Sequence, residues 1–191
     1  NSGATHVSAY ILKIEEGTFF YKKRDSLILP DEDETAELYL AAADALEKAG
    51  FAQYEISNFA KNGFESRHNL KYWHCEEYLG IGAAAHSFAD GKRFYYERSI
   101  DDFVNGKPPV DDGFGGDEEE YIMLALRLTE GLIFENFEKR YGKKLPEIIT
   151  EKARLLQSHG LVTVDGSRIA LTKQGFLLSN SVICELLANF D

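Results

Sequence analysis

The chain has 191 residues, 44% hydrophobic and 28% charged, with a formal net charge of −11. That composition supports a buried core and excludes a disordered or fibrous chain. The acidic balance argues against a nucleic-acid partner held through its phosphates, and no apolar run reaches the length of a membrane span. No signal peptide is visible. Cys75 and Cys184 form neither a disulfide framework nor a metal knuckle, so a reducing, cytoplasmic compartment is the default. The chain opens with Asn1-Ser2-Gly3-Ala4 rather than Met, which fits a missing upstream region.

Residues 6–14 (HVSAYILKI) are almost continuously apolar and predict a central strand covered on both faces, as in a parallel sheet. Residues 18–29 mix aromatic and basic groups and read as an exposed excursion. A helix is predicted over 31–49: Asp31 can cap it, acidic residues fill its first turn, and Gly50 stops it. Residues 51–56 then read as a strand, giving a strand–helix–strand unit with a parallel sheet. Segments 69–73 and 78–88 follow. The second is rich in Gly and Ala, which in a strand marks close approach of another backbone or a ligand. Residues 93–97 can pair with it, and 100–104 suit a short helix.

The acidic, Gly-rich run 111–116 (DDGFGG) breaks the composition, and the domain boundary is expected there, between 1–112 and 117–191. Beyond it the pattern predicts helices over 118–129, 134–141 and 147–159. A hairpin follows at 161–164 and 168–171 around Asp165-Gly166, then a final helix over 173–187. Helix, helix, hairpin, helix is a winged-helix-like order. Its DNA-binding reading is weak, since the segment is acidic and Lys173 is the one base in the first turn of the last helix.

The stretch 66–87 (SRHNLKYWHCEEYLGIGAAAHS) carries most of the candidate chemistry. Arg67, His68 and Asn69 are three consecutive hydrogen-bonding residues. In an extended segment Arg67 and Asn69 would share one side, with His68 opposite. Arg suits a carboxylate or phosphate and Asn an amide or base edge; a loop tied down by local hydrogen bonds explains the run equally well. Glu55 follows a strand end, where α/β proteins bind ligands, so it is a candidate acid, base or acceptor beside an ordinary structural role. Gly80 and Gly82 leave room for something flat, with His86 at the rim of that room. The run is neither a Rossmann fingerprint nor a P-loop. A His74–Cys75 nucleophile and a metal site from His68, His74 and Cys75 are conceivable but lack supporting spacing.

The run YEISNFAKNGFESRHNLKYWHCEEYLGIGAAAHSF resembles the C-terminal part of the oxygen-independent coproporphyrinogen III oxidase-like family of radical S-adenosylmethionine proteins, in its heme-chaperone branch. The tail segments EEYIMLALRLTEG and LTKQG are similar to the family's small C-terminal domain. The resemblance implies an α/β fold: the C-terminal portion of a partial β/α (radical SAM) barrel, then a small winged-helix-like α+β domain. It implies S-adenosylmethionine contacts at Ile11 and His86, and tetrapyrrole contact near Arg67, His68 and Asn69. The family's 4Fe-4S cluster motif C-x-x-x-C-x-x-C has no match here, so the parent protein would hold the cluster and this chain alone should be inactive. Three functions follow as expectations. The parent is a heme chaperone, binding heme or another tetrapyrrole. Alternatively it is a coproporphyrinogen III oxidase, carrying out oxidative decarboxylation. Alternatively this piece is a folding and docking module. An open sheet edge is a reason to expect self-association.

Overall fold

A computed structural model describes residues 3–190. One compact unit ends at Glu65 and a second starts at Ser66. The first contains β1 (His6–Ser8), α1 (Phe19–Lys23), α2 (Glu32–Lys48), β2 (Ala52–Glu55) and β3 (Asn58–Ala60).

α2 is a 17-residue helix that starts where its capping chemistry says it should. Asp31 accepts from the Glu34 backbone N–H at 2.8 Å, and the Glu34 carboxylate accepts from the Asp31 N–H at 3.0 Å. This reciprocal capping box satisfies two amides that have no helical partner. After Gly50 the chain turns into β2, and Ile56-Ser57 connects β2 to β3. The sheet order is β1-β3-β2, with both outer strands antiparallel to β3. β1 and β2 therefore run parallel to each other, as the strand–helix–strand pattern predicts, but β3 lies between them. The expectation of a continuous parallel strand over 6–14 is corrected as well. β1 is three residues long, because its ladder with β3 ends at Ser8↔Asn58, where the β2–β3 turn begins. The apolar residues beyond it, Tyr10 and Leu12, are largely exposed.

The second unit contains α3 (Arg67–Trp73), β4 (His86–Ala89), β5 (Lys92–Tyr95), α4 (Ile100–Val104), β6 (Val110–Phe114), α5 (Glu118–Ala125), β7 (Leu132–Ile133), α6 (Phe134–Tyr141), α7 (Glu147–Ser158), β8 (Val162–Val164), β9 (Arg168–Leu171), α8 (Lys173–Leu177) and α9 (Ser179–Leu187). Two antiparallel sheets are built from them, β4-β5-β6 and β7-β9-β8. The predicted hairpin of 93–97 with the Gly-rich segment is present as β4–β5, with His86 opposite Tyr95.

Two expectations change here. Arg67–Asn69 start a helix and do not form the extended segment considered for them, because the Ser66 side chain accepts from the Asn69 N–H and caps α3. Residues 79–85 are a turn-rich loop, since Gly82 at φ +123° and Ala84 at φ +62° cannot continue a strand.

From α5 onward the predicted order of three helices, a hairpin and a last helix holds, with the short β7 added and the last helix broken at Leu178. Ile122, Leu126, Leu132, Phe137, Ile149, Ile169 and Leu186 are fully buried and form the core of this part. Each contributes roughly 1.5–3 kcal/mol of transfer free energy on burial. The Gly-rich run 111–116 is held in place: Gly115 N–H donates to the Gly91 carbonyl, and the Gly116 carbonyl accepts from the Tyr141 hydroxyl at 2.9 Å. No helix among the described residues is long and apolar enough to cross a membrane.

Candidate functional site

In the first unit, Ile11 lies on the stretch that leaves β1 and is half-exposed. It lines an apolar cleft of about 310 Å³ together with Tyr10, Leu12, Leu29, Leu38 and Tyr39. Polar groups here are few, so the cleft suits a flat apolar or aromatic group. Glu55, at the end of β2, is only 1% exposed. The Asn58 side-chain amide donates to its carboxylate, and the Asn58 side-chain oxygen accepts from the Ser8 hydroxyl. Burial pushes the Glu55 carboxyl above its ordinary range, against the pull of Asn58 and the backbone donors of Ser57 and Ile56. A carboxyl so enclosed braces the hairpin against β1 and offers nothing to an outside ligand.

In the second unit, α3 presents Arg67 and His68 to solvent, with Asn69 half-buried. Helical geometry turns residues two apart by about 200°, so Arg67 and Asn69 fan out instead of sharing a side. It also places His68 and Tyr72 one turn apart. The Tyr72 hydroxyl lies 2.9 Å from His68 Nε2, and the two rings meet edge to face at 4.9 Å. Behind Tyr72, the Tyr78 ring packs perpendicular to it at 4.5 Å. Tyr78 is anchored by two backbone hydrogen bonds with Phe88, of 2.7 and 3.0 Å. Arg93 lies over the Phe88 ring at 4.6 Å and forms an ion pair with Glu120. Glu120 also accepts from the Gly116 N–H at 2.7 Å. A continuous set of contacts thus runs from the exposed His68 to the start of α5.

The glycines of the 79–85 loop have local explanations. A methyl group at Gly80 would overlap the His86 carbonyl oxygen, so β4's own backbone is what approaches closely. Gly82 sits at a positive φ that side chains rarely adopt. The Gly80 N–H donates to the buried Ser87 hydroxyl at 3.0 Å. His86 opens β4, exposed, its ring stacked on Tyr95 at 5.1 Å. Leu79 and Ile81 beside it are largely exposed.

The His74–Cys75 pairing does not form. His74 Nε2 is engaged by Glu130 at 2.7 Å, while Cys75 is buried with its thiol pushed up by burial and by the nearby Glu120. The Cys75 carbonyl accepts from Arg140 at 2.9 Å, a structural tie to α6. No group of three His, Cys, Asp or Glu among the described residues could hold a metal ion.

The residues missed from sequence are Tyr72, Tyr78, Arg93 and Glu120. The His68–Tyr72 spacing of four was a usable signal for a helix pair, hidden by reading the segment as extended. The Arg93–Glu120 pair joins residues 27 apart and had no local signal.

Residues 118–178 match the HemN C-terminal domain family. The heme chaperone HemW of Bacillus subtilis is 37% identical over 94% of this chain and 50% of its own length. The mitochondrial radical S-adenosyl methionine domain-containing protein 1 of Danio rerio is 29% identical over 97% of this chain and 47% of its own length. The chain thus spans about half the length of the curated relatives it matches. The radical SAM coproporphyrinogen III oxidase HemN of Escherichia coli shares the fold at a TM-score of 0.59 and 17% identity, over 83% of this chain and 42% of that one. Residues 118–178 thus match a HemN C-terminal domain, and along nearly its whole length the chain is similar to one half of the heme chaperone HemW proteins.

Proposed function

We propose that this chain is the tetrapyrrole-handling half of a radical S-adenosylmethionine heme chaperone. The observation that carries this reading is the 37% identity to a named heme chaperone over 94% of the chain. The donor set supports it in part. His68 is an exposed imidazole on a short helix with a braced tyrosine beside it, and one histidine suffices as an axial ligand to heme iron. Arg67, with its fixed fork of donors, suits a propionate carboxylate, and Asn69 supplies a further polar contact. The apolar cleft at Ile11 suits the adenine of S-adenosylmethionine. Contact at His86, Gly80 and Gly82 rests on the family likeness alone. Glu55 acts from behind, by bracing β1.

A 4Fe-4S cluster does not fit the residues present. Such clusters need several thiolates, and the chain offers Cys75, which is buried, and Cys184, which is exposed on another element. No radical step is therefore assigned to these residues. Residues 1–112 are assigned to the barrel and 117–191 to the winged-helix-like domain, and the two unpaired cysteines suit a reducing cytoplasm.

The test uses the full-length protein. Heme is titrated in and the Soret band followed for wild type, His68→Ala and His86→Ala. Saturable binding lost in His68→Ala is expected, and no binding by wild type would sink the reading. Turnover of coproporphyrinogen III with S-adenosylmethionine and a reductant would move the assignment to an oxidase.

A further inference from the structure

Residues 13–28 lead from the β1 side of the first unit to α2 and contain α1, followed by a single 3₁₀ turn at Arg24–Ser26. The hydrogen bonds and ion pairs described for this segment all stay within it. Thr18 caps α1 by accepting from the Tyr21 N–H at 3.2 Å, Ser26 donates to the Lys23 carbonyl at 2.8 Å, and Lys13 and Arg24 pair with Glu15 and Asp25. Its cations lie over its own rings, Lys23 over Phe19 at 4.6 Å and Arg24 over Tyr21 at 4.3 Å. Yet Phe19 is 68% and Phe20 52% exposed, and α1 has no buried residue. Two adjacent phenyl rings therefore face solvent on a short helix tied only to itself.

Both ends of the segment meet the apolar cleft. Leu12 just before it, and Leu29 and Pro30 just after it, line that cleft with Leu38 and Tyr39 of α2. A second depression of about 490 Å³ shares Leu29, Pro30 and Leu38 and is lined also by Glu34 and Glu37. The tethered segment carries the matching chemistry: rings for the apolar floor, and Lys22, Lys23 and Arg24 for the acidic start of α2. Gly17, at φ +85° with open space where a side chain would stand, supplies a hinge at one end. Leu27, extended at φ −87° and ψ 135°, leads out at the other.

We propose that residues 13–28 are a strap that closes over the apolar cleft when a flat ligand fills it, laying Phe19 and Phe20 on the ligand and Lys22, Lys23 and Arg24 against Glu34 and Glu37. This deepens, and rests on, the reading of the cleft as the adenine site. An aromatic ligand presents a flat face at the mouth of the cleft, on which the two rings can stack out of water. A ligand touched by the strap only in the closed state draws the equilibrium toward closure.

Limited trypsin digestion of the full-length protein reads the strap directly, since Lys22, Lys23 and Arg24 are consecutive cleavage sites within it. Equilibrium dialysis with S-adenosylmethionine measures binding alongside. The expected result is saturable binding, with cleavage at 22–24 slowed about tenfold at saturation, because proteolysis tracks the population of the open form. The double variant Phe19→Ser/Phe20→Ser removes only exposed rings and leaves the cleft lining intact. It is expected to bind about tenfold more weakly, since closure no longer adds to affinity, and to gain no protection at saturation. Wild-type binding with unchanged cleavage would overturn the strap, as would protection that persists in the double variant. No binding by wild type would overturn the adenine reading, and the strap with it.

Discussion

Glu55 shows how one buried carboxyl can be structural while looking catalytic. Its folded-state proton affinity is raised chiefly by burial, more than Asn58 and the turn amides can lower it. A group whose folded pKa lies above its unfolded one adds stability that is fully present below the unfolded value. That contribution is lost as pH rises through the folded value. Denaturant unfolding of the protein from pH 4 upward should therefore show a falling contribution that levels off above the raised Glu55 pKa. Glu55→Gln should remove this slope and change stability by no more than about 1 kcal/mol at neutral pH, since a neutral amide can still accept from Asn58. Glu55→Ala should cost about 2–4 kcal/mol, because it leaves a cavity and an unpartnered buried amide. An unchanged pH slope in Glu55→Gln would show that the carboxyl is not what titrates.

At the scale of elements, what was legible in the sequence followed its punctuation. α2, α4, α6 and the β8–β9 hairpin stand where caps, glycines and Asp165-Gly166 put them, because these signals act within a few residues. α3 was missed although Ser66 caps it, because a seven-residue helix shows fewer than two full periods of apolar pattern. The 79–85 loop was misread because Leu79, Gly80, Ile81 and Gly82 alternate large and small as they would in a strand, while the backbone sign at Gly82 and Ala84 is not written in composition.

Long-range ties were invisible for the same reason. His74 at the end of α3 and Glu130 before β7 are 56 residues apart. Glu130, helped by Glu76, raises the His74 imidazole, and His74 lowers the Glu130 carboxyl. His74's share of stability is present below the unfolded histidine pKa and lost as pH rises through the raised one. Glu130's share is present above the unfolded carboxylate pKa and lost as pH falls through the lowered one. The tie should hold best at mildly acid pH, between the two ordinary values of 4.5 and 6.5. Both side chains are more than a third exposed, so solvent screening limits the pair to a few tenths of a kcal/mol up to about 1 kcal/mol. Hydrogen-exchange protection at α3, taken relative to the intrinsic exchange rate at each pH, should be greatest in that window, and the maximum should vanish in Glu130→Gln. A maximum that persists in Glu130→Gln would place the titrating group elsewhere.

At the scale of the molecule, the question is how much radical chemistry this chain could carry by itself. An iron–sulfur cluster is held by thiolates, and the thiolate form is the ligand. Cys75 lies 2% exposed and its thiol is pushed up by burial, so at neutral pH it stays protonated and closed to iron. Cys184 is exposed on α9, in the part of the chain that matches no cluster motif. One accessible thiol cannot fix a four-iron cluster. Reconstitution of this chain with iron and sulfide should therefore leave no iron–sulfur absorption after desalting. Incubation with S-adenosylmethionine and dithionite should yield no 5′-deoxyadenosine above the protein-free blank. The radical SAM enzyme HemN of Escherichia coli, treated in the same way, is the positive control. Cleavage by the chain alone would mean that groups outside its cysteines hold the cluster, and would overturn the division of labour drawn here. A cluster-free chain that still binds heme through His68 would instead show that tetrapyrrole handling and S-adenosylmethionine chemistry are separable in space, with the His68–Tyr72 helix on the handling side.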